Sequence, residues 1–235
     1  MVFRIFRSGG HERLERIEEK LLRMLADDRK AFDLAMSALL GDVDPHEVNS
    51  EIRTTDYRVN QAEREIRREL VVHASVAGAI ETPAILIYMS IVKDIERVGD
   101  YAKNLVDLAL DGANFSDGPD LDEWRDVSNR LSEYIASTAQ VFGDRDQARV
   151  RDLLTEGDDL LTRFDDAVSA MVSGEDQRKY AVARALALRY LKRVLAHLMN
   201  VLTSVVMPVH LLDYFDEDPE DRDDRRGTRK RGSHP

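Results

Sequence analysis

Five breaker segments cut the 235-residue chain into six tracts of about 25–33 residues, and within each tract the apolar residues recur every three or four positions, not every two. The breakers are Gly41-Asp42-Val43-Asp44-Pro45, residues 78–83, residues 111–120, Gly143-Asp144 and Ser173-Gly174. In the first tract Leu14, Ile17, Leu21, Met24 and Leu25 form one face, continued by Phe32, Ala35, Met36 and Leu39. In the last, Leu186, Tyr190, Leu191, Val194, Leu198, Val201, Leu202 and Val205 do the same before Pro208 ends the run. Such tracts are helices roughly 40–50 Å long. Short turns between long helices leave them one way to share their stripes, which is to lie nearly antiparallel. The expected fold is all-α, with six long antiparallel helices.

Composition narrows the function classes. The 34 basic and 45 acidic side chains give a net charge of -11, which argues against broad contact with nucleic acid, because that affinity rests on Lys and Arg neutralising phosphates. The absence of cysteine removes disulfides, thiolate zinc sites, iron–sulfur clusters and cysteine nucleophiles together. With 43% apolar but only 6% aromatic residues the chain packs well while exposing long polar faces. No apolar run reaches the 18 residues of a membrane span, and residues 1–7 (Met-Val-Phe-Arg-Ile-Phe-Arg) lack the apolar centre of a signal peptide, so a non-secreted, cytoplasmic protein is expected. Those seven residues read as a packed or frayed terminus more than as a membrane contact.

Three tracts lie on either side of residues 111–120, the longest Gly/Asp/Pro-rich segment, which divides the chain into two tandem three-helix bundles, residues 1–114 and residues 115–217. Sliding one half along the other supports a distant duplication. At an offset of 96, Ile95-Glu96-Arg97-Val98 meets Leu191-Lys192-Arg193-Val194 and Asn104 meets Asn200; at an offset of 102, Asp56 meets Asp158. Residues 218–235 carry no apolar face and read as a disordered, solvated tail of mixed charge.

The stretch Ile95-Glu96-Arg97-Val98-Gly99-Asp100-Tyr101, followed three residues later by Asn104, resembles the signature of the PhoU family, bacterial regulators of phosphate uptake and signalling. The resemblance implies two three-helix bundles, carboxylate ligands for metal ions, often iron, and partners in a phosphate transporter and/or a membrane sensor kinase. Glu96 and Asp100 then become candidate metal ligands. Residues four apart share a helix face, so their carboxylates can converge on one hard cation. Asp56 and Asn60 in the second tract repeat that spacing and match the family's other acidic motif, with Asn in place of its second acid. Gly99, costly in a helix by about 1 kcal/mol relative to Ala, is expected to admit the close approach of a neighbouring backbone. Surface ion pairing, Glu96 with Arg97 and Asp100 with Lys103, is the competing account of the same acids.

The second half departs from the signature, because Lys192 and Ala196 stand where the acids belong, so iron or another divalent metal is expected at the first bundle only. Asp158, Asp159, Asp165 and Asp166 read as an exposed acidic face, His73 and His197 as core histidines, and Met24, Met36, Met89, Met171 and Met199 as core filler. Before the third tract the family's Pro and later Asp-Leu-Arg reduce to Ala79-Ile80-Glu81-Thr82-Pro83. No Glu stands three residues before His11, His46, His73, His197 or His210, as a ferritin-like di-iron site requires, and no Gly-rich phosphate loop, GxSxG or HExxH string occurs. The resemblance therefore implies a non-catalytic regulator of phosphate uptake or signalling, working by protein contacts at the inner face of the membrane; peripheral membrane association and a homodimer are compatible with it. A metal-free helical scaffold or transporter accessory protein is the first alternative, and a metal-dependent enzyme the second.

Overall fold

The computed structural model describes residues 11–76, 79–175 and 178–212. The expectations for residues 1–7 and for the tail at 218–235 lie outside the described residues. Six long helices run α1 (His11–Leu39), α2 (Pro45–Val76), α3 (Thr82–Leu110), α4 (Leu121–Asp144), α5 (Gln147–Ser173) and α6 (Ala181–Val206), with short 3-10 turns at Ala79–Glu81 and Val209–Leu211. Among the described residues there is no strand.

Local chemistry sets the helix ends. Pro45 opens α2, where its missing N–H costs nothing, and Asp44 Oδ1 accepts the next free amide, that of His46, at 2.8 Å. Pro83 sits in the first turn of α3. Asp146 caps α5 by accepting from the amides of Ala148 and Arg149 at 3.1 Å each. Gly174 closes α5 in the left-handed conformation (φ +79°), which a side chain would strain.

The apolar stripes turn inward as their spacing requires. Leu14, Ile17, Leu21, Met24, Leu25, Phe32, Ala35, Met36 and Leu39 of α1 are all buried, as are Leu191, Val194, Leu198, Val201, Leu202 and Val205 of α6. Leu186 departs from the expected stripe: Arg184, Ala187 and Leu188 around it are buried, so the inward face of α6 passes it by and leaves it 39% exposed.

Helices α1, α2 and α3 pack on one another, α4 and α5 pack on α6, and α3 against α6 and α1 against α4 join the two groups. The buried residues form one continuous core across that junction. Two polar clasps reinforce it. Asp94 of α3, 2% exposed, bonds His197 Nδ1 at 2.8 Å and accepts from Asn200 Nδ2 at 3.1 Å, both on α6, while Tyr101 stacks on the His197 ring. Six residues nearer the start of α3, Tyr88 OH donates to Glu18 of α1 at 2.7 Å, and Glu18 also accepts from the guanidinium of Arg145, just past α4. The connection at 111–120 is pinned as well: the Phe115 amide donates to Leu39 O at 2.8 Å, and its ring is fully buried.

Candidate functional site: an acidic cluster at α1, α2 and α3

Helix α3 buries Ile95, Val98, Ala102 and Leu105, so the positions between them, Glu96, Gly99, Asp100 and Lys103, come to the edge of the seam with α1 and α2. Glu96 and Asp100 share a face, as their spacing demands. From α2, Asp56 joins them, and Lys103 Nζ lies 2.9 Å from both Asp56 Oδ1 and Asp100 Oδ1. Arg97 covers the outer side, 2.9 Å from Asp100 Oδ2 and 3.6 Å from Glu96 Oε2. The ion pairs weighed as the competing account are therefore present.

Asn60 is placed on the same face of α2, where its amide donates to the Asp56 backbone carbonyl at 3.0 Å. Glu63, one residue short of the next turn, pairs with Arg67 at 2.9 Å.

The feature that sequence reasoning missed is Asp28. It comes from α1, is fully buried, and neither of its carboxylate oxygens has a hydrogen-bond partner. Its signal was available in the spacing: positions 21, 25, 28, 32, 35 and 39 form a single seam, apolar at every place but 28. A lone acid on an apolar seam is expensive unless something compensates it. The structure also corrects the account of Gly99. What approaches it is not a neighbouring backbone but this carboxylate, because a Cβ added at position 99 would stand 2.6 Å from Asp28 Oδ1.

Electrostatics follow from that packing. Burial, reinforced by the charges of Asp27, Glu96, Asp56 and Asp100, pushes the Asp28 carboxyl well above the usual carboxylate range. Burial and then the charge of Asp100 push Glu96 up to about 7 against the pull of Arg97. Burial works against the charge of Lys103, but hydrogen bonds to Asp56 and Asp100 outweigh it and hold the ammonium above its ordinary value.

The donor set suits a hard divalent cation, with several carboxylates and one of them buried and uncompensated. As the side chains stand, the Lys103 ammonium holds the gap between Asp56 and Asp100. Among the described residues, no group of three or more His, Asp or Glu side chains is gathered tightly enough for a metal ion. A cation entering between Asp56 and Asp100 would have to displace Lys103.

At the corresponding place in the second half, Lys192 pairs with Asp165 of α5. Asp158 and Asp165 are only half-exposed there, while Asp159 and Asp166 face solvent. His197 is turned to Asp94 instead, and His73, 3% exposed, lies 2.5 Å from Glu81.

Two joined groups of three antiparallel helices, with an acidic cluster gathered on the first group around its own lysine, define the class of this protein. Residues 21–109 match the family model of the PhoU domain, a span that contains every member of the cluster. Over that stretch the chain is similar to the PhoU domain. A phosphate-specific transport system accessory protein PhoU homolog from Synechocystis is 24% identical over 206 residues, which cover 83% of this chain and 88% of that one. The crystal structure of PhoU from Pseudomonas aeruginosa superposes with a TM-score of 0.73 at 23% identity, covering 83% of this chain and 96% of the other. That of the phosphate transport system regulatory protein PhoU from Streptococcus pneumoniae gives 0.70 at 14% identity, covering 84% and 95%. The fold is thus shared well beyond the stretch that the family model matches.

Proposed function

We propose that this protein is a non-catalytic regulator of phosphate transport, acting through contacts with a phosphate transporter and/or a sensor kinase on the cytoplasmic side of the membrane. The observation that carries the reading is that the PhoU-domain match over 21–109 coincides with the acidic cluster of Asp28, Asp56, Glu96 and Asp100. Similarity to an accessory protein of phosphate-specific transport points the same way. No helix among the described residues is long and apolar enough to cross a membrane. Contact with a transporter would therefore be peripheral as far as these residues go. We read residues 1–114 and 115–217 as the two repeats, the first retaining the cation site and the second having lost it.

Within the first repeat we assign Glu96, Asp100 and Asp56 as ligands for iron or another divalent metal, with Asn60 beside them and the buried Asp28 as a further donor. A bound metal would supply positive charge that joins α1, α2 and α3; Lys103 supplies it otherwise. The metal-free helical scaffold keeps a claim through that lysine. The test of function is deletion of the gene in its host: phosphate uptake or phosphate-responsive expression should change and be restored by the intact gene. Unchanged uptake at both high and low phosphate would remove the assignment. Elemental analysis of purified protein decides the metal, since iron or manganese lost in Glu96→Ala supports the ligands and metal-free protein at full stability in chelator leaves the scaffold.

A further inference from the structure

Helices α4 and α5 are tied to each other near the turn that joins them and part at the other end. Tyr134 OH donates to Leu153 O at 2.8 Å and Arg149 reaches Gln140 at 3.0 Å, both in the half toward residues 144–147, and Arg130, near the middle of α4, reaches Glu156 at 3.3 Å. Toward the start of α4 its position is set by a different partner. The Asp120 carboxylate accepts from Trp124 Nε1 at 2.9 Å, lies 2.8 Å from the Arg178 guanidinium, and pairs with Arg184 of α6, whose side chain is buried. That buried clasp holds the first turn of α4 to α6 and leaves α5 out of it.

Between the parted halves lies a groove of about 550 Å³. Its floor is apolar, made of Trp124, Val127, Phe164, Ala167, Met171 and Leu188. Met171 and Val127 are only half-buried, so Met171, expected as core filler, faces the groove instead. The rim on the α4 side carries three exposed acids, Asp122, Glu123 and Asp126. Asp122 and Glu123 also suit the positive end of the α4 dipole, so they mark nothing by themselves. The α5 side of the rim adds the exposed Arg163, while Arg178 is engaged by Asp120, so the acids lead three to one. Over an apolar floor of this size the acids do mark something, because an apolar trough with a predominantly acidic rim is what an amphipathic helix of opposite charge recognises. Exposed Val172 and Val182, with half-exposed flanking Leu186, extend the apolar surface over the adjoining ends of α5 and α6. A nucleic acid or an anionic membrane would be repelled by the same rim.

We propose that the α4–α5 groove is a docking site for an amphipathic helix of a partner protein, one that places a large apolar side chain over Phe164 and Met171 and sets Lys or Arg against Asp122, Glu123 and Asp126. This names the surface and the partner chemistry for the docking reading above, and it rests on that reading only for the existence of a protein partner. The chain supplies its own reporter, since Trp124 is the single tryptophan and lines the groove.

The test uses the full chain and a synthetic amphipathic helix of leucine and lysine, with a leucine–glutamate helix as its counterpart. The lysine peptide should shift Trp124 emission saturably and bind at least about tenfold more weakly at 300 mM than at 50 mM salt, because exposed charges dominate the rim. Met171→Glu, and separately the triple change Asp122→Asn, Glu123→Gln and Asp126→Asn, should each weaken it about tenfold or more while helical content by circular dichroism is unchanged. Removing two exposed acids elsewhere on α5, Asp152→Asn and Asp159→Asn, should leave binding within about twofold. The proposal is overturned by no change in emission, by equal binding to the groove variants, or by equal binding of the glutamate peptide. It is overturned as well, in favour of a second copy as occupant, by a dimer in sedimentation that Met171→Glu dissolves. An unchanged phosphate uptake phenotype with intact peptide binding would sink the regulatory reading and leave the groove standing.

Discussion

Asp28 and Gly99 occupy each other's space: the carboxylate from α1 lies where a side chain on α3 would begin, 2.6 Å from the position of a Cβ. The glycine is therefore the reason an acid fits on an otherwise apolar seam, and the acid is the reason the helix tolerates a glycine. Gly99→Ala should gain about 1 kcal/mol of helix propensity and lose more through the clash, lowering the melting temperature. Asp28→Ala in the same chain should relieve that clash. A thermal double-mutant cycle in which the two changes are simply additive would refute the coupling.

The uncompensated burial of Asp28 makes a neutral replacement favourable. Asp28→Asn keeps the shape and removes the repulsion from Asp27, Glu96, Asp56 and Asp100. In chelator at neutral pH it should stabilise the fold by about 1–2 kcal/mol, read from urea unfolding. If the carboxylate also serves a cation, the same variant should lose any stabilisation that manganese or iron confers.

The pH response of the chelated protein is set in part by Glu96, whose folded value of about 7 stands above its ordinary 4.5. The folded state therefore holds a proton that the unfolded chain has released. This contribution is fully present below about 4.5, declines as pH rises, and is gone above about 7. Stability should fall between pH 5 and 8 by on the order of 1–3 kcal/mol from this group, and Glu96→Gln should flatten that slope. A slope identical in the variant would show that another group is responsible.

Lys103 stands between Asp56 and Asp100 as the cluster's own cation. Lys103→Met should destabilise the metal-free protein by about 1–3 kcal/mol, since it leaves two partly buried carboxylates facing each other. A divalent cation should then restore the melting temperature, and by more than it raises that of the unaltered chain. Calorimetry showing no response to manganese or iron in either protein would leave the cluster as an ion-pair network alone.

The clasp of Asp120 and Arg184 carries a heavier load. Asp120→Asn removes the charge opposite a buried guanidinium that also stacks 4.6 Å from the Phe115 ring, and should cost about 3–5 kcal/mol. Because Trp124 Nε1 donates to the same carboxylate, its emission should shift toward that of a solvent-exposed indole as the groove wall loosens. Unchanged emission with lost stability would separate the clasp from the groove.

Helix number, helix ends and buried stripes are properties of neighbouring residues, which is why the apolar spacing of α1 and α6, Pro45, Pro83 and Gly174 made them legible from the amino-acid order alone. The convergence of Glu96 and Asp100 was legible for the same reason, as one turn of one helix. Asp28 was visible only as an exception on a seam, and its meaning came from α3, about seventy positions away in the chain. Whether Lys103 or a metal answers the acids depends on how three separate helices meet. The α4–α5 groove depends on an angle between helices, set by Asp120, Arg184 and the turn at 144–147. Such distances and angles are sums over many long-range contacts, so packing decided them, while local periodicity had already decided the rods that pack.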